Sequence, residues 1–255
     1  MADIELTLDN HLACITLNRP DKRNALTLDM WGRIPALVGE ACSAHARAII
    51  LQGAGGHFAA GADIAEFAYA YATPQAALAN HETMQGAMRA IEECSLPVLA
   101  RIEGTCVGGG CALALACDLR WATPDARFAI TPARLGLAYG VADTHRLVRA
   151  TGLSRAKELL FTARTISADT ALAWGFIDRI VTTEAMQQEL ETFANALASA
   201  SRYSIAATKL IARKVATGAT SEDDESRTLF ADAFSGADFA EGFAAFHAKR
   251  SPHFK

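Results

Sequence analysis

The chain has 255 residues, 51% of them hydrophobic, and a formal net charge of -4. That is enough apolar material for one sizeable core with a helical appendage, and with no long basic run there is no electrostatic surface for nucleic acid. Apolar runs break before membrane length, and Met1–Leu8 lacks the basic and apolar regions of a signal peptide, so a soluble cytoplasmic protein with no membrane partner is expected.

Ile4, Leu6 and Leu8 alternate, Asp9-Asn10 turns the chain, and Ala13, Ile15 and Leu17 alternate again, which predicts a hairpin. Thr27 is placed to cap a helix carrying Leu28, Ile34, Leu37, Val38 and Ala41, and Pro35 inside it predicts a kink or an interruption. Ala48–Leu51 reads as a buried strand, Gly53–Gly61 as a Gly/Ala loop, Pro74–Glu93 as a helix and Val98–Ile102 as a short strand. Gly108-Gly109-Gly110 then opens an Ala/Leu-rich helix ending near Cys117, and Leu119–Ala122 is another strand. After Pro132 helical patterns dominate: Asp143–Arg149, Ser154–Phe161, Ala168–Trp174, Glu184–Ala200, Ile205–Ala216 and Ser221–Phe234. The expectation is a layered α/β core over residues 1–180 and a helical module over 181–255. The six cysteines form no CxxC pair and read as reduced core residues, with no metal site.

Two segments carry chemistry. In Gly108-Gly109-Gly110-Cys111-Ala112-Leu113, glycines between a strand and a helix let the backbone approach a ligand and expose N–H groups at the positive end of the helix dipole. Close helix–strand packing uses glycines in the same way. A dinucleotide loop does not fit, because Leu113 stands where its third glycine belongs. Phe58-Ala59-Ala60-Gly61-Ala62-Asp63-Ile64 permits a second tight turn, either as an ordinary strand-to-helix connection or as a partner of the first. Two such turns, each aiming one N–H, can converge on one oxygen as an oxyanion hole.

Together with Asn18-Arg19-Pro20-Asp21-Lys22-Arg23-Asn24-Ala25-Leu26, Ile102-Glu103-Gly104, Ala116-Cys117-Asp118 and Phe246–Phe254, these segments resemble the crotonase (enoyl-CoA hydratase/isomerase) superfamily along almost the whole chain. The resemblance implies an α/β fold with a crotonase-like ββα spiral core, a C-terminal helical trimerisation module, and a homotrimer or a dimer of trimers. It implies an acyl-CoA thioester as substrate, with coenzyme A as part of that substrate and no separate cofactor. The thioester oxygen would be held by the amides of Ala62 and Gly109. Arg23 matches a position near the CoA phosphates, and Ala25, Ala60, Asp63 and Ile64 match positions lining the adenine and pantetheine. Phe246 and Lys249 match a segment that closes over the CoA. Left to the residues alone, a solvated loop cation is the alternative for Arg23, and Phe246 and Lys249 are equally helix-packing residues.

Hydration of a double bond needs groups that move protons. The hydratases resembled place one glutamate after Gly-Gly-Gly-Cys, where this chain has Ala112, and another at the position that counting back from Gly136 assigns to Pro132. An aspartate used by other isomerases and a dehalogenase branch aligns with Gly140. Phe128–Tyr139 instead looks like the methylmalonyl-CoA decarboxylase branch, with its Thr131-Pro132-Ala133 and Tyr139, and more loosely so do Phe161-Thr162-Ala163 and Ile166-Ser167-Ala168. Decarboxylation of a malonyl-type thioester yields the enolate without a base, and Tyr139 would orient the carboxylate, unless it is a core aromatic. One departure is Ala62, where that branch tends to have His. The remaining polar candidates are Glu66, Asp143 and His145. The resulting expectation is a lyase, a decarboxylase in the first instance. The alternatives are a hydratase or isomerase using other acid/base residues, or a non-catalytic acyl-CoA-binding member. An RNA-binding member needs a basic helix, and the Lys209, Arg213 and Lys214 stretch is short and is followed by the acidic Glu222–Glu225 stretch.

Overall fold

The computed structural model describes residues 2–9 and 11–254; Met1, Lys255 and Asn10, with its share of the expected turn, lie outside the described residues. The chain runs through β1 (Ile4–Asp9), β2 (Leu12–Leu17), α1 (Leu28–Ser43), β3 (Ala48–Gly53), α2 (Phe67–Ala70), α3 (Pro74–Glu93), β4 (Val98–Ile102), β5 (Thr105–Val107), α4 (Gly109–Ala116), β6 (Leu119–Ala122) and β7 (Arg127–Ala129). It continues with α5 (Val141–Thr151), α6 (Leu153–Thr162), β8 (Ile166–Ser167), α7 (Ala168–Trp174), β9 (Arg179–Ile180), α8 (Thr183–Ala198), α9 (Arg202–Ala216), α10 (Asp224–Ser235) and α11 (Ala237–His247).

The alternating residues of β1 and β2 pair antiparallel, with Ile4 opposite Leu17 and Leu6 opposite Ile15. All further pairings in this sheet are parallel, in the order β1-β2-β3-β4-β6-β9. A smaller sheet has the order β5-β7-β8. The chain therefore leaves the large sheet after β4, adds β5 to the small one, and returns through α4 to β6 before repeating the step with β7. This is the ββα spiral expected. Its helices cover one face of the large sheet, where Ile15, Leu17, Ile49 and Leu51 meet Trp31, Ile34, Met88 and Leu113. The residues between them, Ala48 and Ile50, point the other way and are covered by Met186, Leu190 and Ala194 of α8. Burial on both faces is why β3 reads as an unbroken apolar run. Although α8 lies beyond residue 180, its apolar stripe is spent on the sheet.

Pro35 does not interrupt α1, which continues as one helix of 16 residues. Pro35 faces solvent while Trp31, Ile34, Leu37 and Val38 around it are buried. The carbonyl it deprives of a partner lies one turn back, and the packed flank holds the helix together on either side.

The last three helices behave differently. No residue of α9 is buried, and α10 and α11 bury only Ser226 and Ala245. Phe230, Phe234, Phe239, Phe243 and Phe246 are all exposed, and successive rings along Phe230–Phe243 contact one another. Among the described residues no helix is long and apolar enough to cross a membrane.

Candidate active site

The site is built from the backbone outward. Arg23 and Asn24 both adopt positive φ, 48° and 56°, a region that costs an L-residue energy unless its surroundings fix it. Asn24 supplies the fixing: its side chain accepts from Arg19 N at 2.9 Å and donates to the carbonyls of Ala54 and His57 at 2.8 and 2.6 Å. The bent segment then runs beside Ala60–Asp63. Ala60 N donates to Arg23 O, Leu26 N to Gly61 O, and Asp63 N to Leu26 O. On its other side the same segment pairs with β5, where Ala59 N donates to Thr105 O and Val107 N to Ala59 O. Arg19 Nη1 adds a 2.8 Å ion pair to Asp63. Burial pushes the Asp63 carboxyl up, but the Ala65 N–H and Arg19 outweigh it and hold its pKa below the usual aspartate value.

This ladder leaves two donors free. Pairing with Leu26 uses the carbonyl of Gly61 and the amide of Asp63, so the N–H of Ala62 points away from Leu26. Gly109 is the first residue of α4, and its N–H has no partner within the helix. Among the described residues neither amide donates to a side chain or another backbone group. Both follow glycines of positive φ, Gly61 at 99° and Gly108 at 54°. The two turns touch: a Cβ on Gly61 would lie 3.0 Å from Val107 O and 3.3 Å from Gly109 N. A Cβ on Gly109 would lie 3.5 Å from Ala62 N and 3.2 Å from Trp31 Cζ2, so the indole packs against the pair.

The absent acids are absent in space as well. Ala112 is buried within α4, and Pro132 begins a short 3-10 turn. Glu66 lines a small cavity with Ala62, but its carboxylate accepts from Leu28 N at 2.7 Å, and its hydrogen bond to the Tyr69 phenol helps push that group up to about 12. Asp143 is buried in a network. It accepts from Gln85 Nε2 at 3.1 and 3.0 Å and from Arg146 at 2.9 Å, and Arg146 also grips Glu92 at 2.8 and 2.7 Å. Burial opposes the Arg146 charge, but Glu92 and Asp143 raise its pKa above the ordinary value. His145 is exposed. Tyr139 is packed against the core, with its hydroxyl buried and without a partner among the described residues. Burial, with Asp143 nearby, pushes its phenol well up, so it remains a neutral donor.

The structure sets Ala25, Ala60 and Asp63 side by side, with Arg23 and Ile64 exposed at the same edge. Phe246, 81% exposed, and Lys249, also exposed, lie at and just past the end of α11, which packs on α10. A larger cavity of ≈ 590 Å³ lies at the far end of α4, lined by Ala116, Cys117, Arg146 and Lys209 among others. The length of α4, 8 residues or about 12 Å, separates it from the free amides. Two of its cations are already paired, Lys209 with Asp118 and Arg146 with Glu92.

Several residues at the site escape sequence reasoning. Arg19 and Asn24 lie in a segment whose interest centred on Arg23 and Ala25. Trp31 reads as plain core because it shares the apolar stripe of α1. Asn80 is buried on the face of α3 that also carries Ala87, Met88 and Ile91, and a polar residue in such a stripe is the one available signal. His81 fills the space beside Gly140, where a Cβ would lie 2.8 Å from its Cε1.

Residues 7–255 match the family model described as Enoyl-CoA hydratase/isomerase. The chain is 31% identical to the short-chain-enoyl-CoA hydratase of Clostridium acetobutylicum over 97% of this chain and 95% of that protein. It is 34% identical to the crotonyl-CoA hydratase of Syntrophomonas wolfei over 99% and 97%. A solved structure from Hyphomonas neptunium, described as an enoyl-CoA hydratase/isomerase family protein, superposes with a TM-score of 0.96 at 44% identity, covering 100% of this chain and 98% of that one.

The contact between the two turns predicts an asymmetry among glycines. Gly61→Ala combines positive φ with a carbonyl oxygen in the way and should destabilise the protein by about 1–3 kcal/mol. Gly39→Ala, on α1 with nothing within 4 Å of the new Cβ, should stabilise it by about 0.5–1 kcal/mol. Urea unfolding of the two variants checks this; equal effects would mean that the Gly61 turn is not constrained.

Proposed function

The chain belongs to the enoyl-CoA hydratase/isomerase family, and we propose that it performs enolate chemistry on an acyl-CoA thioester without carboxylate acid–base catalysis, by decarboxylating a malonyl-type thioester. In this reading the N–H groups of Ala62 and Gly109 take the thioester oxygen. The bond from the α-carbon to the carboxylate breaks, its electron pair passes into the enolate, CO₂ leaves, and a proton from a weak acid or solvent completes the acyl product. Two fixed donors stabilise the developing charge without having to reorganise. Arg23, Ala25, Ala60, Asp63 and Ile64 would line the CoA.

The observation that carries this reading is that two free amides stand together while Ala112 and Pro132 occupy the positions from which the resembled hydratases move protons. The unpartnered hydroxyl of Tyr139 supports it, as a neutral donor with capacity to spare for a carboxylate. The names of the relatives favour a second reading, hydration. That reading needs another proton carrier. With Glu66 and Asp143 already bonded and His145 exposed, His81 beside Gly140 is the side chain it would use.

Assembly follows from α9–α11. Helices that bury almost nothing and carry an exposed run of phenylalanines need a partner. We assign them to a homotrimer or a dimer of trimers, and the CoA contacts of Phe246 and Lys249 belong with that assembly. Sedimentation at micromolar protein should show trimers or hexamers, and monomers alone would contradict it.

The two reactions part at Tyr139. Tyr139→Phe keeps the ring and removes the hydroxyl, an orienting bond of about 1–3 kcal/mol to a charged acceptor. Turnover of malonyl- or methylmalonyl-CoA, followed by mass spectrometry, should fall roughly ten- to a hundredfold, while binding of an uncharged acyl-CoA of similar size stays level. Equal loss for charged and uncharged thioesters would return Tyr139 to the core. Turnover of crotonyl-CoA alone, lost in His81→Gln and kept in Tyr139→Phe, would establish hydration instead.

A further inference from the structure

Trp31 and Asn80 are 1% and 6% exposed, and each buries one polar atom that has no partner among the described residues, Trp31 Nε1 and Asn80 Oδ1. Stranded polar groups of this kind are rare, because burying them unpaired costs stability. Both residues line one cavity of about 10 Å³, and Ala62 lines it too. That is the room a single water-sized oxygen takes. Ala62 brings its free N–H to the lining, whereas the two carboxylates there are occupied. Glu66 accepts from Leu28 N, and Asp63 is held by Arg19 and Ala65 N. Burial pushes the Tyr71 phenol up, and the Asn80 amide beside it offsets part of that rise.

Indole Nε1 only donates, and an amide oxygen only accepts. One atom that satisfies both must accept one hydrogen bond and donate another. A carboxylate has no hydrogen to give, an ammonium has no lone pair, and a methyl group has neither; a hydroxyl has both. We propose that Trp31 and Asn80 form a hydroxyl-recognising subsite of the acyl pocket, in which a hydroxyl on a short acyl chain accepts from Trp31 Nε1 and donates to Asn80 Oδ1. The inference rests on the reading that Ala62 holds the thioester oxygen, since Ala62 joins this cavity to the amide pair and the Trp31 ring abuts Gly109. A trapped water offers the same chemistry, and the test separates the two sources.

The experiment is calorimetric titration of the full chain with butyryl-CoA and 4-hydroxybutyryl-CoA. A hydroxyl at C4 rather than C3 keeps the probe from being an intermediate of hydration. The hydroxylated thioester should bind at least about tenfold more tightly, because the unsubstituted chain leaves the two polar atoms without a ligand partner. Trp31→Phe and Asn80→Leu should each bring the ratio of the two affinities close to one, and reading the ratio cancels any general weakening. Trp31 is a core residue, so Asn80→Leu, with folding checked by thermal unfolding, decides the matter if Trp31→Phe fails to fold. Equal affinities in the unmodified protein would overturn the subsite and assign the two atoms to a water. A preference that survives Asn80→Leu would overturn the role of these side chains. Failure of both thioesters to bind would overturn the reading of Ala62, and the subsite with it.

Discussion

The contact between Gly61–Ala62 and Gly108–Gly109 is the constraint on which the site depends. Two chain segments from different turns of the spiral come close enough that a single Cβ on Gly61 would press on a carbonyl oxygen of β5 and on the amide of Gly109. Such closeness requires residues that tolerate positive φ without a side chain. It also requires that both segments be held from outside. The Ala59–Asp63 segment is held between Leu26 and β5, and Asn24 fixes the bend that brings Leu26 there. The Gly108 turn is held by α4, whose residues from Gly110 to Ala116 are all buried. Sheet pairing, the Asn24 bonds and the burial of α4 thus serve one result, a close contact of two turns whose amides at Ala62 and Gly109 are free among the described residues.

What could be read from the sequence follows the same physics. The bounds of α3, β4, β6 and α7 were legible because each is bracketed by proline, glycine or a cap and carries a clear apolar period. The strands of the small sheet were not. β5, β7 and β8 are two or three residues long and pair with partners distant in sequence, so no local period marks them. Helix α11 follows Gly236 directly after α10, and its run of Ala and Phe shows little contrast between faces. Pro35 misled for the opposite reason: the local rule was sound, and tertiary packing around Trp31 and Ile34 overrode it. At the site, the glycines marked two tight turns and the family resemblance singled out Ala62 and Gly109 within them, whereas Trp31 and Asn80 depend on which neighbours lack partners, and that exists only in three dimensions.

The polar interior divides into two kinds of group. Gln85, Asp143, Arg146 and Glu92 satisfy one another and form a closed network along α3 and α5. Breaking such a network by removing one member leaves a buried charge alone, so it resists use in catalysis. Trp31 Nε1, Asn80 Oδ1 and the Tyr139 hydroxyl are the reverse, buried and unmatched among the described residues. Groups of this second kind are what a bound molecule can complete. Their presence beside two free amides is the basis of the proposal that this site works by recognition and charge stabilisation rather than by proton shuttling.

The central claim is that the amides of Ala62 and Gly109 act together on one thioester oxygen. The most direct test is the infrared C=O stretch of a butyryl-CoA labelled with carbon-13 at the thioester carbon, recorded free and bound. Polarisation by two donors weakens the carbonyl bond, so the bound band should move to lower frequency. Gly109→Pro, which removes one donor at the first residue of α4, should abolish much of that shift. A bound band at the free frequency, or a shift untouched by Gly109→Pro in a folded variant, would contradict the account.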